Sequence, residues 1–510
     1  MRTFLFNIIK MKKLKLVSLA IAMACATPSL AGGLLTNTNQ HVAFNRMMSR
    51  EASIGIDGVY YNPAGVVFMS EGHHLAINWQ LAFQTRTINN DYALFTNNVN
   101  NPITPRDFKG TAFAPVIPSF QYAYNKGKWS FQASFALTGG GGKCTFDDGL
   151  GSFEKIVAET AIAACGLAGV VDQTLGNTLG QPGMEMFTSD QAFGKTGKYS
   201  FNSYMHGRQY YYGLSVGAAY KFCDNFSAFL GVRGVYALTN YYGYVENINV
   251  GNMPLYKVLD PTKESSANIE LSCDQSGVGF TPIIGVDYKT GRWNFSAKYE
   301  FKTRIRLKNK SVNQTPSIGN LPANLANQMT GILTAKYQQA GLPLEQAKQQ
   351  AENTTNAVLN DPTVGATMIG LKTQFDQKLN KAIGEYEDGK KIAGDIPAYL
   401  ALGVGYSPVD AVRVNVGFHW FDDKNATSYN NRNKELKRGT LEYNAGVEVD
   451  VNKKITLSTG WQNTNYGLSD EYMDDKSFVV SSNSVAIGGV YHINKKMDLN
   501  VAYFHTFYQH

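Results

Sequence analysis

Positively charged side chains at alternate positions of one stretch are the first candidates for binding chemistry in this sequence. The stretch WNFSAKYEFKTRIRLK covers residues 293–308. Its later polar positions are Lys298, Glu300, Lys302, Arg304, Arg306 and Lys308. Ammonium and guanidinium groups form charge-assisted hydrogen bonds with carboxylates. These cations could therefore hold an acidic group, or they could equally line a water-filled space without touching a ligand.

Bond-making chemistry has no comparable candidate. The eight histidines are scattered along the chain, and no HExxH, GxSxG or phosphate-loop pattern occurs. The run TGGGGK at 138–143 lacks the Ser or Thr and the first glycine of a phosphate loop, so it is interpreted as a flexible loop. The sequence thus predicts no enzyme activity, no cofactor and no metal site.

An extended strand must position the cations, because the residues between them are apolar or aromatic. Trp293, Phe295, Tyr299 and Phe301 belong to that second series. The same period of two recurs in LAINWQLAF (75–83), VRVNVGFHW (412–420), ITLSTGW (455–461) and LNVAY (499–503). Strict alternation predicts strands with one apolar face and one polar face.

The connections between the predicted strands alternate between short and long. Short turns lie at 125–128, 223–225, 289–292, 408–411, 452–454 and 493–496, and long connections at 89–112, 140–206, 249–268, 310–395, 425–438 and 467–477. Outer-membrane barrels have short periplasmic turns and long external loops, whereas a soluble sandwich has no reason to sort its loops. We therefore predict an all-β fold, a transmembrane antiparallel β-barrel with lipid outside and a polar lumen.

The pattern yields thirteen strands, seven running in one direction and six in the other. Bacterial single-chain barrels have even strand counts. The chain also ends in FHTFYQH, without a terminal aromatic residue. We predict a 14-stranded type whose last strand is missing from this chain; a miscounted strand is the alternative.

The N-terminus indicates export. Residues 1–31 contain a basic start, an apolar run from Leu16 to Ala24 and a cleavage site with small residues at 29–31, which together predict a cleaved signal peptide. The net charge of +7 is spread without a dense basic block, so nucleic acid is not an expected partner. Cys144 and Cys165 share one long loop and could form a disulfide or remain free thiols.

Two long loops have patterns of their own. Residues 140–206 contain the apolar run AIAACGLAGVV at 161–171, and residues 310–395 show helical spacing at Met329, Ile332 and Leu333 and again at Phe375, Leu379 and Ile383. These loops could form packed helical caps, an apolar landing surface for a hydrophobic ligand, or both.

Residues 32–72 precede the barrel, which we place at 73–510, and show no strand alternation. The segment mixes apolar and polar groups and ends in the turn-forming motif Asn62, Pro63, Ala64 and Gly65, whose glycine permits an unusual backbone angle. This composition predicts a compact N-terminal plug, or hatch, inside a polar lumen; a disordered tail is the alternative.

The run AFNRMMSREASIGIDGVYYNPAG resembles the hatch of the FadL-type transporters of long-chain fatty acids and other hydrophobic compounds in Gram-negative outer membranes. YEFKTRIRLKNK and DIPAYLALGVGYSP extend the resemblance, which covers most of the exported chain. That family has fourteen strands, which agrees with a missing last strand. The loop at 310–395 is longer than the resemblance implies.

The resemblance implies a mechanism. An apolar substrate lands on external loops, moves to a pocket beside the hatch N-terminus, and leaves sideways through the wall after the hatch rearranges. Gly32, Leu34 and Leu35 would reach the pocket, and Lys298, Lys302 or Arg304 could pair with a carboxylate head. The implied protein is a monomer with a hydrophobic small molecule and outer-membrane lipid as partners.

Three functions compete. The first is passive transport of hydrophobic small molecules, with long-chain fatty acids as the expected substrates. The second is a general porin for polar solutes, against which the plug argues. The third is a surface-binding or adhesion protein that uses the barrel as a membrane anchor and the two long loops for binding.

Overall fold

The computed structural model describes residues 34–316, 318–476 and 479–509. The predicted signal peptide at 1–31 and the candidate Gly32 lie outside these ranges. The described chain consists of a large antiparallel sheet, a helical cap at one end of that sheet, and a compact N-terminal segment against its inner face.

The strands are numbered in chain order. They are β1 (Gly72–Asn90), β2 (Arg106–Lys126), β3 (Trp129–Phe146), β4 (Tyr199–Lys221), β5 (Phe226–Val250), β6 (Met253–Pro254), β7 (Ile269–Thr290), β8 (Trp293–Glu300), β9 (Arg306–Gln314), β10 (Lys391–Ala393), β11 (Tyr399–Val409), β12 (Val412–Phe421), β13 (Thr440–Asn452), β14 (Ile455–Asn465), β15 (Ser482–Asn494) and β16 (Met497–Tyr508).

The α-helices are numbered in the same way. They are α1 (Val42–Met47), α2 (Gly58–Tyr61), α3 (Gly151–Leu179), α4 (Tyr256–Leu259), α5 (Leu321–Gln339), α6 (Leu344–Leu359) and α7 (Pro362–Ile383). Short 3₁₀ turns include Gly65–Phe68.

The wall strands pair antiparallel in chain order from β1 to β16, and within the described residues this path has thirteen positions, as counted from the sequence. The predicted all-β barrel architecture with an N-terminal plug is confirmed. No ladder joins β1 to β16 in the part of the chain that the structure describes, although Gln84 donates to the Tyr508 hydroxyl at 2.8 Å. The fourteenth strand stays a prediction.

Alternate residues of the wall face opposite solvents, and β7 shows this clearly. Val278 is 63% exposed and Phe280 is 70% exposed, whereas Thr281 and Ile283, at the positions that face the other side, are buried. Trp293, Phe295 and Phe301 are likewise exposed. A continuous exposed apolar face of this size matches hydrocarbon outside the barrel, as the alternation predicts.

The prediction of one continuous strand through the stretch 293–308 is wrong between residues 301 and 305. β8 ends at Glu300, and β9 begins only at Arg306. Between them the chain shifts inward over β7, where a Cβ on Gly279 would lie 2.6 Å from the Thr303 methyl group. The absent side chain of Gly279 therefore makes room for the shifted segment.

The two long loops form the cap. β3 extends to Phe146 and β4 begins at Tyr199, so the first loop is shorter than the predicted 140–206 and holds the single long helix α3. α3 has the length and composition to cross a membrane, but 44% of its most apolar 18-residue stretch is buried within the protein. Helices α5 to α7 confirm the helical spacing of the second loop. The thiols of Cys144 and Cys165 are free.

Residues 34–71, called the hatch below, lie against the inner face of the sheet. The segment comprises α1, α2, the Gly65–Phe68 turn and connecting coil, and its side chains are mostly buried. Many of them are polar, which suits a plug that must contact the polar inner face of strands.

Candidate functional site

The body of the hatch is attached to the wall through buried charged groups, of which one centres on Glu300 of β8 and contacts the hatch through Lys298. Arg233 donates to Glu300 at 3.0 Å, and Lys298 Nζ lies 2.9 Å from the same carboxylate. Lys298 also donates to the Tyr60 carbonyl of the hatch at 2.6 Å. All three charged side chains are at most 5% exposed. The candidate cation Lys298 therefore holds the hatch to β8.

A second group joins the hatch to β12 and β13. His419 Nε2 lies 2.8 Å from Glu51 of the hatch, and His419 Nδ1 lies 2.7 Å from Glu442. Carboxylates at both ring nitrogens suit an imidazolium, which donates from both. Burial alone would raise the pKa of Glu51, but the charge of His419 and its hydrogen bond lower it.

A third group lies within the hatch and reaches β13. Arg50 forms an ion pair with Asp57 at 2.7 Å, and Arg46 forms one with Glu448. Burial favours the neutral form of Asp57, but the charge and hydrogen bonds of Arg50 outweigh it and lower the pKa of Asp57 to about 2. Burial lowers the pKa of His41, at the start of α1, to about 4.

The predicted hatch motif makes a turn that is also bonded to the wall. Asn62 donates to Asp287 of β7 and accepts from the Gly65 amide at 3.1 Å. The carbonyls of Pro63 and Ala64 accept from Gln132 and Ser227 at 2.7 Å each. The expectation for Gly65 is wrong, because its φ is not positive. Gly65 is needed for space, since a Cβ there would strike the Asn62 amide.

The N-terminal segment of the hatch, residues 34–40, packs against an apolar cluster in the lumen. Leu35 is half-buried and packs against a cluster formed by Tyr211, Val235, Ala237, Ile305, Leu307, Ile392 and Ile396. The amide of Leu34 hydrogen-bonds the buried carboxylate of Asp423, whose pKa burial raises to about 6. Leu35 therefore lies against an apolar lumenal cluster, and ligand binding by Leu34 and Leu35 stays a prediction.

The same segment covers a break in the wall. β2 pairs with β3 up to Phe120 opposite Phe135 and resumes only at Ala112 opposite Cys144. Within the break, β2 carries Pro115 and Pro118, which cannot donate ladder hydrogen bonds.

On the other side of that break, β3 carries the run of four glycines. Gly140 and Gly142 have φ of +89° and +73°, which glycine adopts without strain. The amide of Gly140 donates to the Leu35 carbonyl at 2.9 Å, and the amide of Asn37 donates to the Thr138 carbonyl at 3.0 Å. The hatch thus occupies the free edge of β3.

The candidate cations are separated by the break between β8 and β9. Lys302 lies 3.9 Å from Asp395, donates to the Asn425 carbonyl at 3.1 Å and is partly exposed. Arg304 is exposed, while its neighbours Thr303 and Ile305 are buried. The expectation that all these cations share one lumenal face fails beyond Glu300, because the inward shift of the chain changes which side chains are buried.

A separate apolar cavity lies in the helical cap. Its volume is about 60 Å³, and its lining comes from α3, α4, α5, α7 and the adjoining loops. Thr160 is the one lining residue with a polar side-chain group, and its hydroxyl already donates to the Ile156 carbonyl at 2.7 Å. The cavity thus offers an apolar ligand contact surface but no free partner for a carboxylate.

Sequence reasoning missed the ion pairs between hatch and wall. Arg46 and Glu51 lie in the segment compared with a hatch, and His419, the partner of Glu51, lies on the polar face of a predicted strand. The opposite charges of hatch and lumen were a usable signal, but alternation does not reveal which strand faces which hatch residue. Within the described ranges, no three His, Cys, Asp or Glu side chains gather in a way that could hold a metal ion.

No family model matches the chain, and no curated protein does so either. Solved structures do match. A Pseudomonas aeruginosa FadL homologue aligns with a TM-score of 0.55 at 13% identity, covering 94% of this chain and 92% of that one. The fold is that of a FadL-type barrel.

Two further structures align with lower TM-scores. The Pseudomonas putida toluene transporter TodX gives 0.46 at 12% identity, covering 94% of this chain and 93% of its own. The Ralstonia pickettii toluene transporter TbuX gives 0.41 at 11% identity, covering 89% and 94%. The FadL-type assignment of the fold rests on the first alignment and on the geometry above.

Proposed function

We propose that the protein is a passive transporter of hydrophobic small molecules across an outer membrane. The observation that carries this proposal is the double role of hatch residues 34–40. Leu35 packs into the apolar lumenal cluster, and its carbonyl occupies the free edge of β3 at the break in the wall. Movement of this one segment would therefore vacate a pocket and uncover a lateral exit together.

The route begins in the cap. The apolar cavity under α3 would receive a hydrophobic molecule from outside, and the cluster around Leu35 would receive it next. The ion-paired body of the hatch would stay in place, so that polar solutes do not pass through the lumen. The break between β2 and β3 would release the molecule directly into the hydrocarbon layer. An apolar molecule would then avoid contact with water on its way out of the barrel.

Long-chain fatty acids are the substrates we favour within this class. The cavity in the cap can contact only the apolar portion of a ligand, because its lining has no free polar group. Recognition of a carboxylate would fall to Lys302 or Arg304, since Lys298 is held by Glu300 and Tyr60. A neutral hydrocarbon would need neither cation.

The test uses Leu35→Ala with Leu75→Ala as its matched control, because Leu75 faces lipid and is 58% exposed. Purified protein in liposomes is assayed for uptake of a radiolabelled long-chain fatty acid and of a neutral hydrocarbon. We expect Leu35→Ala to change both rates by at least threefold and Leu75→Ala to change neither. Equal rates for both variants and the parent chain would contradict the proposal.

Arg304→Gln and Lys302→Gln refine the substrate. A loss of fatty-acid uptake alone supports carboxylate recognition, and unchanged uptake of both compounds contradicts it. Deletion of residues 32–65 separates transport from adhesion, because it should alter hydrophobic uptake and leave surface binding by the cap unchanged. Loss of surface binding with unaltered uptake would favour the adhesion function.

A further inference from the structure

A band of positive charge crosses the outer face of one side of the wall. Strand register places Lys143 opposite Arg208, Arg208 opposite Asn240, Asn240 opposite Asp274, and Asp274 opposite Lys310. Residues directly opposite each other in a ladder point to the same face of the sheet. These five side chains therefore form one row across β3, β4, β5, β7 and β9.

A second row lies two residues closer to the exposed apolar part of the wall. Lys308 stands opposite Ser276 of β7 and also opposite Lys391 of β10. The two rows together contain the cations Lys143, Arg208, Lys308, Lys310 and Lys391, all of them exposed. We call these five residues the cationic band.

The cationic band faces outward. Asp274 and Ser276 precede Val278 at alternate positions of β7, and Val278 is 63% exposed on the lipid side. Leu238 precedes Asn240 by two positions on β5 and is also exposed. A side-chain period of two keeps all of these residues on the outer face.

The height of the cationic band matches a lipid headgroup layer. Exposed apolar side chains of β7 run from Tyr288 to Val278, eleven residues, which is the length that crosses a bilayer. Ser276 and Asp274 lie two and four residues beyond that edge. At about 3.3 Å per residue and a tilt of about 40°, they rise roughly 5 and 10 Å above the hydrocarbon.

The cationic band keeps most of its positive charge, because its rows contain five cations and one carboxylate. Asp274 is the one carboxylate in the two rows, and it accepts from Asn240 at 2.8 Å. Within the described residues, none of the five cations forms a salt bridge. The equivalent positions on the opposite side of the wall are uncharged. Asn463 lies two residues after the exposed Trp461 on β14, and its ladder partner Asn483 lies two residues before the exposed Val485 on β15.

We propose that the cationic band binds the phosphate groups of an anionic outer-leaflet lipid. Lys and Arg bind phosphate through charge-assisted hydrogen bonds, and the band lies where such phosphates would lie. Its six strands, spaced about 4.8 Å apart, extend over roughly 24 Å, which favours a headgroup with two or more phosphates. The proposal requires the barrel to lie in a membrane but does not depend on transport.

The test measures lipid binding to the full chain in neutral detergent. The probe is bis-phosphorylated lipid A, with its mono-phosphorylated form, phosphatidylglycerol and inorganic phosphate as comparisons, and binding is followed by native mass spectrometry. The variant is Lys308→Gln/Lys310→Gln/Lys391→Gln. The matched control is Lys128→Gln/Lys453→Gln/Lys496→Gln, which removes three charges from the short turns at the other end.

We expect the variant to bind bis-phosphorylated lipid A at least tenfold more weakly than the parent chain, and the control to change by less than twofold. Equal losses in both would show a response to net charge alone and overturn the proposal. Equal affinity for inorganic phosphate would also overturn it. A shift in gel migration on heating verifies that both variants fold. Unchanged uptake of hydrophobic compounds by both variants keeps this result separate from the transport proposal.

Discussion

The two parts of the hatch are attached to the barrel in different ways. The body, from Arg46 to Asn62, is held by the almost fully buried ion pairs of Arg46 with Glu448 and of Glu51 with His419, and by the hydrogen bond of Lys298 to the Tyr60 carbonyl. Residues 34–40 are held by main-chain hydrogen bonds to β3 and by the packing of Leu35. Removing one partner of a buried ion pair costs about 3–5 kcal/mol, whereas a hydrogen bond contributes about 1 kcal/mol.

The difference indicates which part can move. Displacing residues 34–40 costs less free energy than displacing the body, because it breaks main-chain hydrogen bonds and the packing of Leu35 but no buried ion pair. We therefore expect changes in the body to act mainly on stability and changes in the N-terminal segment to act mainly on access to the pocket.

Glu300→Gln should have the largest effect on stability. It leaves Lys298 and Arg233 buried without a counter-charge, and the expected loss is about 3–5 kcal/mol in the free energy of unfolding. Urea unfolding followed by gel migration measures it. Glu345→Gln is the control, because that side chain is 84% exposed and its ion pair with Lys348 is worth less than about 1 kcal/mol. Equal effects would show that the Glu300 group, which holds Lys298 against the Tyr60 carbonyl of the hatch, does not stabilise the structure.

Acidification should weaken the hatch through His41. Burial lowers the pKa of His41 to about 4 from 6.5, so the unfolded chain binds its proton first. Stability should fall by about 3 kcal/mol as the pH falls from 6.5 to 4 and then level off for this group. Asn at position 41 keeps a cap acceptor without titrating, so His41→Asn should flatten unfolding midpoints measured across this pH range. An unchanged slope would contradict the assignment.

Asp57 acts in a separate pH window. Its folded pKa of about 2 lies below the unfolded value of 3.8, so its stabilisation is present above that value and is lost as the pH falls through 2. The two groups can therefore be separated in a single pH series.

Gly65→Ala should have an intermediate effect. The added Cβ would displace the Asn62 amide from the Gly65 amide or from Asp287, at a cost of about 1–3 kcal/mol. Gly169→Ala is the matched control, because a Cβ there meets nothing within 4 Å and lies in the interior of α3. Thermal unfolding compares the two. A neutral Gly65→Ala would mean that the turn adjusts freely.

Asn37→Pro should have a smaller effect on global stability than Glu300→Gln. It removes the main-chain donor to Thr138 and the side-chain acceptor of the Asn39 amide, each worth about 1 kcal/mol, and leaves the ion pairs of the body intact. Hydrogen exchange at Gly140, whose amide donates to Leu35, should become faster. A loss of stability as large as that of Glu300→Gln would remove the distinction between the two parts of the hatch.

Alternation of residue types was sufficient to predict the wall. The strands over LAINWQLAF and VRVNVGFHW, the thirteen sheet positions and the helices at Met329 and Leu333 follow from periods of two and 3.6, which depend on local geometry. The hatch could be placed because residues 34–71 lack those periods. The cations at 302–306 could not be placed, because the inward shift of that segment depends on Gly279, which is distant in sequence and adjacent in space.

The amino-acid sequence by itself determined which faces meet hydrocarbon, since side-chain solvation is a property of each residue and its strand position. Only the tertiary structure decided which lumenal charges meet the hatch, where the ladder between β2 and β3 is interrupted, and that Leu35 covers the interruption. Those features depend on strand register and on contacts between distant segments, such as Glu51 with His419, and neither is encoded in a local pattern.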